Sequence, residues 1–301
     1  MSHVGRHGEA GHTVTCASQG MYYNEVVRTR VPCPAAAPWR SALTMVREPF
    51  SLKQAVEDKI AQVMSLPTQS ASVPARISPD ELAAMIDHTL LKAEATTVQV
   101  AALCQQAREH HFAAVCVNPV HIAQCRVLLG GTGIQIACVV GFPLGATLPE
   151  VKAYEAQRAI AAGATEVDMV IQVGAIKERA YDQVHRDIAA VAQACHTRAA
   201  ILKAIIEAAL LTDEEKVAAC YIAQAAGSDL VKTSTGFGPG GATQHDVALM
   251  RQTVGPTMGI KAAGGIRTYQ DALVMVQAGA TRIGASAGIT IIQQARAEEL
   301  Q

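Results

Sequence analysis

Short apolar segments recur along the chain from about residue 85, and longer segments with helical spacing separate them. The apolar segments have the length and the branched aliphatic composition of buried strands. This alternation of strands and helices is typical of a parallel sheet. The eight predicted strands are MIDHTLL (85–91), FAAVCV (112–117), IQIACVVGF (134–142), EVDMVIQ (166–172), AAILKAII (199–206), DLVKTS (229–234), MGIKAAG (258–264) and RIGAS (282–286).

Eight strand–helix units occupy about 205 residues, which is the size of a (β/α)8 barrel. An open doubly wound sheet is the alternative, but it usually has five or six strands and a glycine-rich loop after the first strand. Here LKAEATT follows the first predicted strand and contains no glycine. The sequence therefore predicts an α/β fold with a (β/α)8, or TIM, barrel.

Capping boxes predict where individual helices begin, because the Ser or Thr side chain accepts a hydrogen bond from the backbone N–H three residues later. Ser78, Pro79 and Glu81 predict the N-cap, first and third positions of a short helix. The other predicted boxes are Ser51–Gln54, Thr147–Glu150, Thr212–Glu215, Thr243–Asp246 and Thr268–Asp271.

Residues 1–77 lack the regular alternation of the rest of the chain. They are irregular and rich in turn-forming residues, apart from one predicted helix near residues 52–65, where apolar residues recur at helical spacing. We therefore predict a mostly disordered N-terminal extension over residues 1–77, followed by the barrel over residues 78–301.

Composition and charge exclude several functions. The net charge is −1 and no block of Lys or Arg stands out, so neither a nucleic-acid partner nor a membrane surface is expected. No apolar run reaches the roughly 18 residues of a membrane-spanning helix, and the N-terminus lacks a secretory signal. The eight cysteines form no Cys-x-x-Cys pair and several lie in apolar runs, which indicates reduced thiols and a cytoplasmic location.

Two lysines interrupt apolar strands where a barrel carries its chemistry. Lys232 lies near the end of the sixth predicted strand and Lys261 lies on the seventh. Adjacent strands are about 4.8 Å apart, so two inward lysines at similar height would be neighbours. A second positive charge lowers the pKa of a lysine, and a neutral lysine amine attacks a carbonyl carbon to form a Schiff base. The pair predicts carbon–carbon bond chemistry that needs no metal and no organic cofactor.

Asp168 on the fourth predicted strand and Lys203 on the fifth are also expected to face the interior. Asp168 is the candidate proton shuttle, through a water molecule or together with Lys261. A structural role is the alternative for both residues. Asp168 would then be a hydrogen-bonding aspartate, and Lys203 a partly solvated lysine paired with Glu207 or Asp168.

Three glycine-rich segments follow the last three predicted strands: TGFGPGG, AAGG and GASAG. In a barrel they lie on one rim, where loops after the seventh and eighth strands and the helix N-termini behind them commonly bind phosphate. Glycines let backbone N–H groups approach an oxyanion, and Ser286 adds a hydroxyl. The sequence therefore predicts a phosphorylated substrate.

Eight segments spread over every predicted strand resemble the deoxyribose-phosphate aldolases, a family of Schiff-base aldolases with a (β/α)8 fold. The resemblance covers about two thirds of the chain, and KTSTGF and K-x-AGGIRT are its most specific parts. The segments are IDHTLLKAEAT, AAVCVNP, VVGFPLGA, EVDMVI, LKAIIE, DLVKTSTGF, IKAAGGIRT and RIGASAG.

This resemblance implies reversible cleavage of 2-deoxy-D-ribose 5-phosphate to D-glyceraldehyde 3-phosphate and acetaldehyde, in deoxyribonucleoside catabolism. It implies that Lys232 forms the Schiff base, that Lys261 tunes it and that Asp168 transfers protons. No cofactor is implied, and a homo-oligomer, most simply a dimer, is expected. The implied substrate-binding residues are Asp87, Thr89, Cys116, Lys203, Gly236, Gly264, Gly265 and Ser286.

Two other functions are compatible with a barrel. A metal-dependent barrel enzyme would need His, Asp or Glu at several strand ends, but His88 is the only histidine on a predicted strand. A sugar-phosphate-binding module without catalysis would keep the glycine loops but has no need of paired lysines.

Overall fold

The structure is a computed structural model that describes residues 51–67 and 77–300. Across this part of the chain, eight parallel strands close into one barrel, in which each strand pairs with the next and the last pairs with the first. The predicted TIM barrel is thereby confirmed. The strands are β1 (Ile86–Leu90), β2 (Ala114–Val117), β3 (Gln135–Val140), β4 (Glu166–Val170), β5 (Ile201–Ile205), β6 (Leu230–Lys232), β7 (Gly259–Ala263) and β8 (Arg282–Ala285).

Helices connect successive strands, and short 3-10 turns at Pro119–His121 and Ala208–Leu210 follow β2 and β5. Among the described residues, two α-helices precede the first strand, and two lie between β4 and β5. The helices are α1 (Leu52–Met64), α2 (Pro79–Ala83), α3 (Thr97–His110), α4 (Ile122–Leu129), α5 (Pro149–Ala162), α6 (Val173–Lys177), α7 (Tyr181–His196), α8 (Asp213–Ala225), α9 (Gln244–Val254), α10 (Tyr269–Gln277) and α11 (Gly288–Glu299).

Most of the predicted helix starts are confirmed. Ser78, Thr212 and Thr268 form reciprocal capping boxes at α2, α8 and α10. Thr243 and Ser51 also cap their helices, but only one half of the box forms: each side chain accepts a hydrogen bond from the backbone N–H three residues later. These contacts satisfy backbone N–H groups that lack a partner inside the helix, which fixes where each helix begins.

The predicted helix start at Thr147 is wrong. The N-cap of α5 is Leu148, which makes no side-chain hydrogen bond to the helix, and Pro149 is the first helical residue. Proline favours that position because its fixed φ suits the helix and its missing N–H needs no partner there. The carbonyl of Thr147 instead accepts a hydrogen bond of 3.3 Å from Gln172 Nε2.

The two faces of each strand contact different surroundings, as strand alternation requires. On β3, Ile136 and Cys138 belong to the large apolar core, which also includes residues of the surrounding helices. Ala137 and Val139, on the inner face, form a small separate cluster with Cys116 of β2. The barrel interior is therefore apolar beside β2 and β3, and its remaining sector contains the charged residues described below.

Helix α1 lies at the position predicted for a helix near residues 52–65, and it packs against α7, α8 and α9. Its Val56 and Val63 are buried, and Gln252 Nε2 donates a 3.3 Å hydrogen bond to the Val63 carbonyl. The compact unit that contains the barrel spans Pro49–Gln301. We therefore propose that α1 is part of the barrel domain, for which the sequence predicted a start at residue 78.

The irregular segments predicted over residues 1–50 and 68–76 lie outside the described residues. Within the described ranges, no helix combines the length and the apolar character that crossing a membrane requires.

Candidate active site

Asp168 on β4 contacts three lysines at the centre of the barrel. Its Oδ2 lies 2.9 Å from Lys232 Nζ and 2.7 Å from Lys261 Nζ, and its Oδ1 lies 2.8 Å from Lys203 Nζ. Lys232 is 2% exposed and the other three residues are fully buried. The structure thus brings together the three residues that the sequence predicted as catalytic.

The strand register explains this meeting. Lys232 and Lys261 are direct partners on β6 and β7, and Asp168 is opposite Lys203 on β4 and β5. Lys203 itself is opposite Leu230, two residues before Lys232. Lys232 is therefore one inward position closer to the carboxyl end of the barrel than Lys203, which is the end where TIM barrels bind their substrates.

A second layer of charged groups lies on the other side of these lysines. Asp87 Oδ2 is 2.5 Å from Lys261 Nζ, and Glu166 Oε2 is 2.5 Å from Lys203 Nζ. Arg282 joins the two carboxylates, at 2.6 Å from Asp87 and 3.1 Å from Glu166. We call the whole set the barrel charge cluster; its members are Asp87, Glu166, Asp168, Lys203, Lys232, Lys261 and Arg282.

Four basic groups face three carboxylates in this cluster, so its charge is +1 when every group is ionised. Lys203, Lys261 and Arg282 each contact at least two carboxylates. Among the described residues, Lys232 contacts a single carboxylate, which it shares with two other lysines. Because an unbalanced buried charge costs roughly several kcal/mol, Lys232 is the group that loses a proton most easily.

The pKa values follow this arrangement. Burial lowers the pKa of Lys232, and the charge of Lys261 lowers it further against the attraction of Asp168. Burial also acts to lower the pKa of Lys261, but Asp168 and Asp87 outweigh it and hold that pKa well above its usual range. Neighbouring lysines hold the pKa of Asp168 well below its usual range, although burial alone would raise it. Lys232 is therefore the candidate nucleophile, and Lys261 stays charged.

A cleft of about 290 Å³ opens above the cluster, at the carboxyl ends of β1, β6, β7 and β8. Among the described residues of the cluster, Lys232 alone lines it. A larger groove of about 720 Å³ beside α5 and α6 has no member of the cluster in its wall. The smaller cleft is therefore the place where a carbonyl substrate would meet the Lys232 amine.

The predicted substrate-binding residues divide into two groups. Thr89, Gly236, Gly264, Gly265 and Ser286 line the cleft. Asp87, Cys116 and Lys203 are completely buried and do not line it. Their contact with substrate stays a prediction; in this structure Asp87 and Lys203 belong to the charge cluster.

Of the two partners predicted for Lys203, Asp168 is the one that it contacts, at 2.8 Å, and Lys203 is fully buried rather than partly solvated. Glu207 accepts hydrogen bonds from the Thr235 hydroxyl at 2.5 Å and from the Thr235 N–H at 3.2 Å. Its backbone is left-handed, with φ of 52°, which is uncommon and mildly strained for a residue other than glycine. Glu207 therefore fixes the loop after β6, whose Thr235 and Gly236 line the cleft.

Gly264 and Gly241, from two of the glycine loops, lie where a side chain has no space. Gly264 has φ of 88°, and a Cβ built there would lie 2.9 Å from the Cα of Gly241. The loops after β6 and β7 are therefore in direct backbone contact, with the Ala242 N–H bonded to the Gly264 carbonyl at 3.0 Å. Gly264 and Gly265 line the cleft, and backbone without side chains lets an oxyanion approach N–H groups closely.

Sequence reasoning missed two cationic residues of the cleft and two members of the cluster. Lys92 and Arg267 are exposed and line the cleft, opposite in charge to a phosphate. Each lies within a segment that the sequence analysis singled out, LKAEATT and IKAAGGIRT, so its charge was an available signal. Glu166 and Arg282 are the first residues of their strands. Glu166 is two residues before Asp168, so strand alternation was an available signal that it faces inward as well.

Comparison with known proteins agrees with this geometry. The model of the DeoC/LacD family aldolase matches residues 82–294. The chain belongs to this aldolase family. A deoxyribose-phosphate aldolase from Macrococcus caseolyticus is 59% identical over 212 residues, which cover 70% of this chain and 96% of that protein. Another from Lysinibacillus sphaericus is 59% identical over 210 residues, covering 70% and 94%.

A solved structure shares the aldolase fold as well. The tetrameric deoxyribose phosphate aldolase from Aeropyrum pernix superposes with a TM-score of 0.70 and 32% identity, over 80% of this chain and 98% of that one. The resemblance read from the sequence segments is confirmed, and it extends across the barrel strands that carry the charge cluster.

Proposed function

We propose that this aldolase reversibly cleaves 2-deoxy-D-ribose 5-phosphate into D-glyceraldehyde 3-phosphate and acetaldehyde, with Lys232 as its nucleophile. One observation carries the proposal: among the three lysines around Asp168, Lys232 lines the cleft and has a lowered pKa. The names of the bacterial relatives, at 59% identity, support this substrate.

The first step is attack of the neutral Lys232 amine on the aldehyde carbon of the open-chain sugar. The carbinolamine that forms loses water and becomes an iminium ion. Asp168 Oδ2 lies 2.9 Å from the reacting nitrogen of Lys232 and 2.7 Å from Lys261 Nζ. Asp168 and Lys261 supply and remove the protons of these steps, which is the role of a general acid–base pair.

The second step breaks the bond between C2 and C3 of the sugar. The iminium withdraws the electron pair of that bond, the C3 hydroxyl loses its proton, and C3 becomes the aldehyde of glyceraldehyde 3-phosphate. The resulting enamine is protonated at C2 and then hydrolysed to acetaldehyde, which frees Lys232. Because the pKa of Asp168 is depressed, we propose that Asp168 relays these protons with Lys261 and a water molecule rather than holding one itself.

The phosphate is proposed to lie at the other end of the cleft. Gly236, Gly264, Gly265 and Ser286 line it and would provide backbone N–H groups and a hydroxyl, and Arg267 adds a positive charge. Such contacts hold the reacting aldehyde at Lys232, and this positioning is a major part of catalysis.

Reductive trapping tests the proposed nucleophile. The protein is incubated with acetaldehyde and sodium borohydride, and the modified residue is located by mass spectrometry of peptides. We expect an ethyl group on Lys232, while Lys203 and Lys261 remain unmodified because they are buried and charged. Exposed Lys177 reports non-specific labelling. Turnover in excess chelator without any adduct on Lys232 would contradict the Schiff-base mechanism.

Replacing Arg267 by Met is expected to raise KM for 2-deoxy-D-ribose 5-phosphate about ten- to a hundredfold, with a small effect on kcat, because a charge-assisted hydrogen bond to phosphate contributes about 1.5–3 kcal/mol. Steady-state kinetics with 2-deoxy-D-ribose, which lacks the phosphate, provide the comparison and should be unchanged. Arg158→Met, at an exposed arginine of α5 outside the cleft, is the matched control. An equal loss with both sugars would show that Arg267 does not bind phosphate.

We also propose a homo-oligomer, with a dimer as the expected state, and a cytoplasmic location. The Aeropyrum pernix relative is tetrameric, which supports self-association without fixing the number of subunits. The described cysteines are unpaired and buried, which supports a reducing compartment. Light scattering of the purified chain measures the subunit number.

A further inference from the structure

Two charged residues that lie away from the cleft complete the charge balance of the site. Arg282 is the first residue of β8 and Glu166 is the first residue of β4. They are therefore at the amino ends of their strands, at the opposite end of the barrel from the substrate cleft. Their guanidinium and carboxylate groups are 3.1 Å apart, and neither residue lines the cleft.

We propose that the Arg282–Glu166 pair is a positioning device that fixes the number of protons in the barrel charge cluster and so leaves Lys232 as the amine without its own counter-charge. The inference rests on the proposed role of Lys232. Arg282 occupies Asp87 Oδ1, and Glu166 contacts Lys203. Asp87 and Glu166 are thus engaged by other basic groups, and Lys232 has only its share of the Asp168 carboxylate.

The count of charges gives the direction of each effect. With Arg282 present, the cluster is neutral only when Lys232 has lost its proton. Without the Arg282 charge, three lysines face three carboxylates, so the cluster is neutral with Lys232 protonated. Loss of the Glu166 charge acts in the opposite direction, because four basic groups then face two carboxylates. Removal of both charges restores the original excess of one positive charge.

The other charged or titratable groups around Lys232 do not replace this pair. Asp168, Lys261, Asp87 and Lys203 are the cluster's own members on β4, β7, β1 and β5. The thiol of Cys116 on β2 is buried, which raises its pKa and keeps it neutral. The remaining groups are Glu207, which bonds to Thr235 beside the loop after β6, and exposed Lys92 and Arg267, whose charges solvent screens.

The experiment measures how fast acetaldehyde and sodium cyanoborohydride ethylate Lys232 as a function of pH, with the site read by peptide mass spectrometry. We expect Arg282→Met to move the midpoint of this profile up by about one pH unit and Glu166→Gln to move it down by a similar amount. Each variant removes one charge that interacts with the Lys232 ammonium through Coulomb's law. Arg282→Lys and the double variant Arg282→Met/Glu166→Gln are expected to keep the original midpoint. A purely structural role would not give opposite shifts that cancel.

Lys216→Met is the matched control, because Lys216 also contacts two carboxylates, Asp213 and Asp246, but on the outer helices. Its midpoint is expected to stay unchanged. Arg282→Gln, which keeps an N–H donor but loses the charge, is the second charge-removing variant if Arg282→Met does not fold. An unshifted midpoint in either folded variant, or equal shifts in Arg282→Met and Arg282→Lys, overturns the inference. Absence of labelling at Lys232 in the unaltered protein would instead overturn the proposed function.

Discussion

Replacement of Lys232 by Met is expected to abolish aldol cleavage, with kcat lowered about ten-thousandfold or more, as is typical when a covalent nucleophile is removed. Without the amine there is no iminium, and the electron pair of the C2–C3 bond has no acceptor. Neither Lys203 nor Lys261 can substitute, because both are fully buried and do not line the cleft. The loss is measured as release of glyceraldehyde 3-phosphate in a coupled assay.

The Lys232→Met variant should still fold, because the change removes the one positive charge that exceeds the carboxylates of the cluster. It should also still bind inorganic phosphate, since the residues proposed for that contact are unaltered. Lys177→Met, at an exposed lysine paired with Glu215, controls for the loss of a lysine elsewhere. A variant at Lys232 that retained more than about a hundredth of the activity would exclude the Schiff base at this position.

The sequence predicted the barrel because buried parallel strands form short, continuous apolar runs with sharply defined ends. All eight predicted segments contain an observed strand. The error at Thr147 shows where such local reasoning fails. The sequence contains both a capping box at Thr147 and a proline at residue 149, and α5 begins at Pro149, whose fixed φ suits the first helical position.

The upper layer of the site was also predictable, because alternation within a strand and adjacency of β6 and β7 are enough to bring Lys232 beside Lys261. The lower layer was not. The partners of Lys203 depend on the stagger of the closed barrel, which places it opposite Leu230 and beside Glu166 and Asp87 rather than Glu207. No local pattern records that stagger, since it results from closure of all eight strands.

Replacement of Lys261 by Leu is expected to lower kcat/KM at pH 7 about a hundredfold through the protonation state of Lys232. Lys261 and Lys232 are register partners and share Asp168 Oδ2. Two charges about 4.8 Å apart repel by about 3 kcal/mol at an effective dielectric constant of about 20, which corresponds to about two pKa units. Without Lys261 the pKa of Lys232 rises, and the amine is protonated at neutral pH.

The pH profile of Lys261→Leu distinguishes two roles of Lys261: lowering the pKa of Lys232, or donating a proton during catalysis. If Lys261 keeps Lys232 neutral, the activity of Lys261→Leu should rise about tenfold for each pH unit above neutrality, until Lys232 titrates at its new, higher pKa. If Lys261 acts only as a proton donor, activity should fall by the same factor at every pH. Steady-state rates between neutral and alkaline pH, with Lys216→Met as the control for a lost buried cation, separate the two. A profile with an unchanged midpoint would show that the charge of Lys261 does not set the reactivity of Lys232.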